Sequence, residues 1–137
     1  AGTSRSFMAF LVDAYREEEA PTADGKTETR VVLGLHPKLA PIKAAVFPLV
    51  NRDGMQEVAR KIEMMIRPEL RVFYDDSGAV GRRYRRQDEA GTPFCITVDS
   101  QTLQDQTVTV RERDSMHQER VGMDRILGFL RDRIQRV

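Results

Sequence analysis

A chain of 137 residues suits one domain with at most a small appendage. With 40% hydrophobic residues, 31% charged residues and a net charge of +1, it reads as ordinary globular protein and excludes a whole-molecule field for nucleic acid, so any electrostatic footprint must come from local clustering. The single cysteine, Cys95, excludes an intrachain disulfide and leaves a zinc site without thiols; no apolar run approaches the roughly 18 residues of a membrane-spanning helix.

The chain opens with AGTSRSFMAF, without an initiator methionine and already at the edge of an apolar pattern, as expected of a cut inside a longer protein. Phe7, Phe10, Leu11, Ala14 and Tyr15 follow helical spacing and predict an amphipathic helix over 5–18, with Ser4 as a cap. The run Glu17–Glu19 opposes the macrodipole at its end. Residues 19–30 carry no large apolar side chain and predict a flexible linker. Residues 31–41 predict an extended segment interrupted by Pro37 and Pro41.

From residue 42 the pattern becomes regular. The run IKAAVFPLV predicts a buried strand ending near Pro48, which has no N–H for a ladder. Asn51–Gly54 predicts a turn with Asp53 as N-cap. Met55, Val58, Ala59, Ile62, Met65 and Ile66 predict a helix stopped by Pro68. A strand over 70–74, a polar turn over 75–78 and a helix over 79–89 ended by Gly91 follow. Residues 92–98 predict a third strand, 101–106 a turn, 107–113 and 117–122 two more strands, and 123–134 a last amphipathic helix. This order of strands with helical crossovers, then a hairpin, predicts an α/β fold: a mixed sheet of about five strands with helices on both faces.

Several ordered segments carry a family resemblance. LHPKLAPIKAAVFPLV at 35–50, YDDSGAVGRRYRRQDEAGTPFCITVD at 74–99 and TVTVRERDSMHQERV at 107–121 closely resemble the C-terminal part of homodimeric class II glycyl-tRNA synthetase. The resemblance covers about residues 31–134. It implies the anticodon-binding domain fold, a five-stranded mixed sheet flanked by about three helices, over 31–137. AGTSRSFMAFLVDAY resembles the end of the catalytic domain, where motif 3 enters a helix, so residues 1–18 are expected as that domain's terminal helix. Arg5 matches the motif's ATP-binding arginine by position, although Ser4 stands where the family usually has an acidic residue. The rest of the catalytic motifs would lie upstream. The resemblance therefore implies a piece without an active site, inactive and monomeric alone and without a cofactor of its own. Its parent would be a cytoplasmic, homodimeric glycine–tRNA ligase that uses ATP and Mg. The partners implied are the anticodon loop of glycine tRNA and the catalytic domain of the same chain.

The arginines of GRRYRRQDEA, residues 81–90, are the strongest local charge signal. On a helix, Val80 and Tyr84 share a face and are expected to anchor it to the sheet, with the tyrosine hydroxyl reaching water. Arg82, Arg85 and Arg86 fall at i, i+3 and i+4 and form a basic ridge, flanked by Arg83 and Gln87, that turns acidic at Asp88 and Glu89. Such a run is usually a solvated face with short-range ion pairs. Arginine in place of lysine favours phosphates, base edges and stacking. The glycine anticodon implied by the resemblance ends in two cytosines, whose reading takes one acceptor and one or two donors. Arg82, Arg85, Arg86, Gln87, Asp88 and Glu89, with Arg111 and Arg113 on the following strand, supply these types and are the expected tRNA-binding residues.

Other candidates are weaker. Phe73 and Phe94 sit in strand patterns and are expected in the core rather than under a base. His36 and His117 lack partners of metal spacing, and Asp75–Gly78 lacks the spacing of a calcium loop, so no metal is expected. Asp75–Gly78 is a candidate for tRNA contact or for positioning the arginine helix, since open α/β sheets bind ligands at strand ends. The basic last helix, with Arg125, Arg131, Arg133 and Arg136, is expected to be solvated. Two rival functions remain: a non-catalytic protein-interaction module of the same fold, and a small-ligand domain with a concave apolar pocket near Asp75 and Asp76.

Overall fold

The computed structural model describes residues 14–22 and 24–136. Strands β1 (Tyr15–Pro21) and β2 (Thr27–Leu33) form an antiparallel hairpin. The main sheet contains β3 (Ala44–Pro48), β4 (Val72–Tyr74), β5 (Phe94–Val98), β6 (Thr107–Glu112) and β7 (Gln118–Gly122), in the spatial order β4-β3-β5-β6-β7. Helix α1 (Met55–Ile66) joins β3 to β4, and α2 (Val80–Ala90) joins β4 to β5. These crossovers make β3 parallel to both β4 and β5, whereas β6 pairs antiparallel with β5, and β7 antiparallel with β6. A short helix α3 (Ser100–Asp105) precedes β6, and a 3-10 turn over Met123–Arg125 leads into α4 (Ile126–Arg136). This is the mixed five-stranded sheet with helices on both faces that the strand and helix periods predict.

The two faces of the sheet differ in kind. Alternate residues point opposite ways, so Ala44 and Val46 of β3 face one side while Ala45 and Phe47 face the other. The first side is the main core, where Met55, Ala59, Ile62 and Ile66 of α1 and Ile126, Leu130 and Ile134 of α4 bury against Val46, Ile96, Val108 and Val110. The second side has a small apolar centre of Ala45, Phe47 and Cys95, on which Val80 and Tyr84 of α2 pack as expected. Phe47 and Tyr84 meet edge to face, with ring centroids 5.5 Å apart. The Tyr84 hydroxyl lies 2.7 Å from Thr97 Oγ1, so it is tied to the sheet rather than to water. Burial pushes the Cys95 thiol up to about 12, which leaves it neutral and inert.

Several expectations are corrected. Residues Tyr15–Glu18 are strand, not helix, and the hairpin runs through most of 19–30, where a flexible linker is expected. Ala20, Arg30 and Val32 are its buried positions, so packing against the domain overrides a polar local sequence. The part of the expected helix over 5–13 lies outside the described residues, as does Arg5. Where a turn is expected over 101–106, residues 100–105 form a short helix, because Asp99 and Thr102 cap each other's backbone N–H groups. Gly54, not Asp53, is the residue preceding α1, and its φ of 80° suits glycine.

Candidate functional site

Helix α2 lies over the sheet's second face and carries the arginine run. Its approach is set by the loop 75–78, as one reading of that loop expects. Arg83 is 2% exposed and donates to the carbonyls of Pro48, Ser77 and Gly78, closing off the C-terminal ends of β3 and β4. Arg86 donates through Nε and Nη2 to Asp75 Oδ2 at 3.1 and 2.8 Å, and through Nη2 to the Ser77 carbonyl at 2.7 Å. Burial alone would raise the Asp75 carboxyl, yet hydrogen bonds from Ser77 and Arg86 outweigh it and hold it below the ordinary value.

One turn further on, Asp88 is fully buried and surrounded by arginines. Arg30 of β2 reaches it at 3.1 Å, Arg85 at 2.8 Å and Arg111 of β6 at 3.1 Å. Arg85 also pairs with Glu28 at 2.9 Å, and Arg30 with Glu18, so the hairpin is tied to α2 through charge. The Arg111 guanidinium stands 4.8 Å from the Tyr84 ring centroid. Arg113 is 2% exposed and donates to the carbonyls of Gly91 and Leu35 at 2.9 and 2.7 Å. Gln87 is 5% exposed and accepts from the Thr92 hydroxyl at 2.7 Å.

The expected tRNA-binding residues thus divide. Asp88, Arg111 and Arg113 lie in the interior and bind other parts of the protein, which corrects their expected place on an exposed reading surface; Gln87 is buried too, with its carbonyl end held by Thr92, and meets only the edge of a surface cleft. The physical reason is that carboxylate and guanidinium complement each other as well inside a protein as they do a base. Arg85 is half-buried and doubly paired, while Arg86 is partly exposed and held by Asp75. Arg82 and Glu89 are exposed, and neither side chain makes an ion pair or hydrogen bond among the described residues. Sequence reasoning missed Arg30, whose side chain is wholly buried and whose role depends on Asp88, 58 residues away.

Phe94 is buried as expected, but Phe73 is 43% exposed. It pairs in register with Ala45 and so faces the α2 side, at the edge strand, beyond the part of the sheet that Val80 and Tyr84 cover. Between β4 and α2 a surface cleft of about 500 Å³ remains, and a second of about 430 Å³ lies by Asn51, Gly78 and Ala79 at the strand ends. Both combine apolar walls with charged or polar groups. Among the described residues no cluster of His, Cys, Asp and Glu has the form of a metal site, and no helix is long and apolar enough to cross a membrane. His36 and His117 are exposed. In α4, Arg131 pairs with Glu69 and Arg133 with Glu119, at the surface.

Comparison with known proteins agrees with this architecture. Glycine–tRNA ligase of Rhodopirellula baltica is 56% identical over 135 residues, which is 98% of this chain and 25% of that protein. The corresponding ligase of Nocardia farcinica is 57% identical over 130 residues, covering 95% of this chain and 28% of the relative. The chain therefore spans little more than a quarter of these relatives' length. A prolyl-tRNA synthetase from Cryptosporidium parvum superposes with a TM-score of 0.70 over 86% of this chain and 30% of its own, at 17% identity, and so shares the fold. The family described as the anticodon binding domain matches residues 43–133, which take in the whole five-stranded sheet with α1, α2 and α3 and most of α4, and the chain belongs to that family.

Proposed function

We propose that this chain is the anticodon-recognition part of a cytoplasmic glycine–tRNA ligase. It holds the anticodon loop of glycine tRNA so that the acceptor end reaches a catalytic domain, which carries out the ATP- and Mg-dependent aminoacylation. The observation that carries this reading is the family match over the whole sheet, joined to high identity with glycine–tRNA ligases. The surface of α2 is compatible with it. Arg82 offers an uncommitted guanidinium to phosphate, and Glu89 offers an uncommitted carboxylate to a cytosine amino group.

The experiment is a binding titration of this chain with a glycine anticodon stem-loop and with a cytosine-substituted stem-loop, across a salt series. Wild type should prefer the cytosine-containing loop and weaken as salt rises. Arg82→Ala should weaken both RNAs alike and reduce the salt slope by about 0.7 for one lost phosphate contact on a single strand. Glu89→Ala should shrink the preference itself, by up to about 1–3 kcal/mol. Absence of salt-sensitive binding by wild type would overturn the reading and favour a protein-interaction module of the same fold.

A further inference from the structure

The cleft between β4 and α2 holds an unusual set of groups for a surface hollow, and the function above uses none of its aromatic or amide groups. Phe73 stands on its β4 side, 43% exposed at an edge where a strand residue of this size is ordinarily covered. Asp75, Ser77, Arg86 and Gln87 line the rest of it.

The polar groups are committed in a telling way. Asp75 Oδ1 accepts from the Ser77 N–H and hydroxyl at 3.0 and 2.9 Å, and Oδ2 accepts twice from Arg86. The carboxylate is therefore spent on its neighbours, and it fixes the guanidinium in place. Arg86 uses Nε and Nη2 in these bonds, while Nη1 has no partner among the described residues. Gln87, 5% exposed, uses its carbonyl end to accept from Thr92. Its Nε2 makes no hydrogen bond among the described residues and is not sealed from solvent, and Gln87 is one of the residues that line the cleft. A cleft with two free donors, no free carboxylate and one exposed aromatic ring is complementary to a flat group with adjacent acceptors on its edge.

We infer that this cleft seats one unstacked base of the bound RNA, with Phe73 as the stacking platform and Gln87 Nε2 and Arg86 Nη1 as donors to the base edge. The inference rests on the RNA-binding reading and adds a specificity site to it. Donors alone suit a base that presents two neighbouring acceptors, such as cytosine N3 and O2 or guanine O6 and N7. Its volume of about 500 Å³ falls within the range of small-ligand clefts, about 300–1,000 Å³. Because Arg86 is locked by Asp75, it orders the edge of the base rather than neutralising a phosphate.

The test pairs Phe73→Ala with a set of glycine anticodon stem-loops in which each loop nucleotide in turn is abasic. Phe73 is exposed, so its removal leaves the fold standing, and circular dichroism with a urea midpoint checks this. The expected result is that Phe73→Ala weakens binding of the intact stem-loop roughly tenfold. That loss should vanish for the RNA that is abasic at one loop position and persist for the others. Phe73→Tyr, which keeps the ring, should bind as wild type. Gln87→Glu, which exchanges the donor for a carboxylate, should map to the same loop position. Wild-type binding with no effect of Phe73→Ala, or a loss equal at every abasic position, overturns this inference and leaves the anticodon reading intact. Failure of wild type to bind any of the stem-loops overturns both.

Discussion

Asp88 sits where Arg30, Arg85 and Arg111 converge, and no water-exposed surface remains to solvate it. Removing the Asp88 charge leaves the buried Arg111 without a carboxylate and leaves Arg30 and Arg85 only their outer carboxylates, Glu18 and Glu28. Asp88→Asn keeps the shape and removes the charge, and it should destabilise the chain by about 3–5 kcal/mol, read from the urea unfolding midpoint. Double variants with Arg30→Met should recover part of that loss, since the buried charge is removed with its partner. Glu89→Ala, one residue along, should leave the midpoint unchanged. The contrast bears on how legible single residues are. A run of arginines ending in Asp-Glu has the chemistry to read cytosine, but the same chemistry builds an internal ion cluster. What separates Asp88 from Glu89 is which side of the helix meets Arg111, 23 residues on, and Arg30, 58 residues back. Neither distance is visible in a local window.

At the level of helices and strands the periods were a sound guide wherever an apolar stripe was present. Helices α1 and α2 begin and end within a residue or two of their expected limits, because Met55, Ala59, Ile62 and Ile66, or Val80 and Tyr84, must all face the sheet. The β1–β2 hairpin was missed because its buried positions are Ala20, Arg30 and Val32, which do not look like a core face. A usable signal was nonetheless present in Asp24-Gly25, a turn pair, with Gly25 at φ 81° and the alternating run TETRVV after it. Helix α2 ends against this hairpin at Gly91, whose φ is also 81° and where an added Cβ would lie 3.0 Å from the Leu33 carbonyl oxygen. Gly91→Ala should therefore cost about 1–2 kcal/mol from the left-handed backbone alone, with the close approach adding to it. Thermal unfolding is the check, and Gly81→Ala, which meets open space in the first turn of α2, should be neutral or stabilising.

For the molecule as a whole, carboxylates tie separate parts of the fold together. Asp75 holds α2, Asp99 caps α3 and pairs with Arg120 of β7, and Asp114 pairs with Arg113 and Arg16. All three sit below the ordinary aspartate value. For Asp99 the Arg120 hydrogen bond is the largest cause; for Asp75 and Asp114 burial pushes upward but hydrogen bonds to arginine and neighbouring groups outweigh it. A depressed folded-state pKa contributes stability that is fully present above the unfolded value, about 3.9. It is lost as pH falls through the lower folded value. The urea midpoint should thus hold steady from neutral pH to about pH 5 and drop steeply below about pH 4, and Asp75→Asn should flatten that drop.

Chain order, the two helical crossovers, the parallel pairing of β3 with its neighbours and the family itself were all contained in local periods and ordered motifs. These depend on interactions between near neighbours and on the need to cover apolar faces. The sorting of the arginines was settled only in three dimensions. Arg83 and Arg113 became carbonyl caps, Arg30 and Arg111 became partners of Asp88, and Arg82 was left facing outward. Charge pairing acts through space and takes whichever partner the packing brings within about 3 Å. The same holds for Phe73, whose strand period predicts burial but which lies on an edge strand beyond the part of the sheet that Val80 and Tyr84 cover.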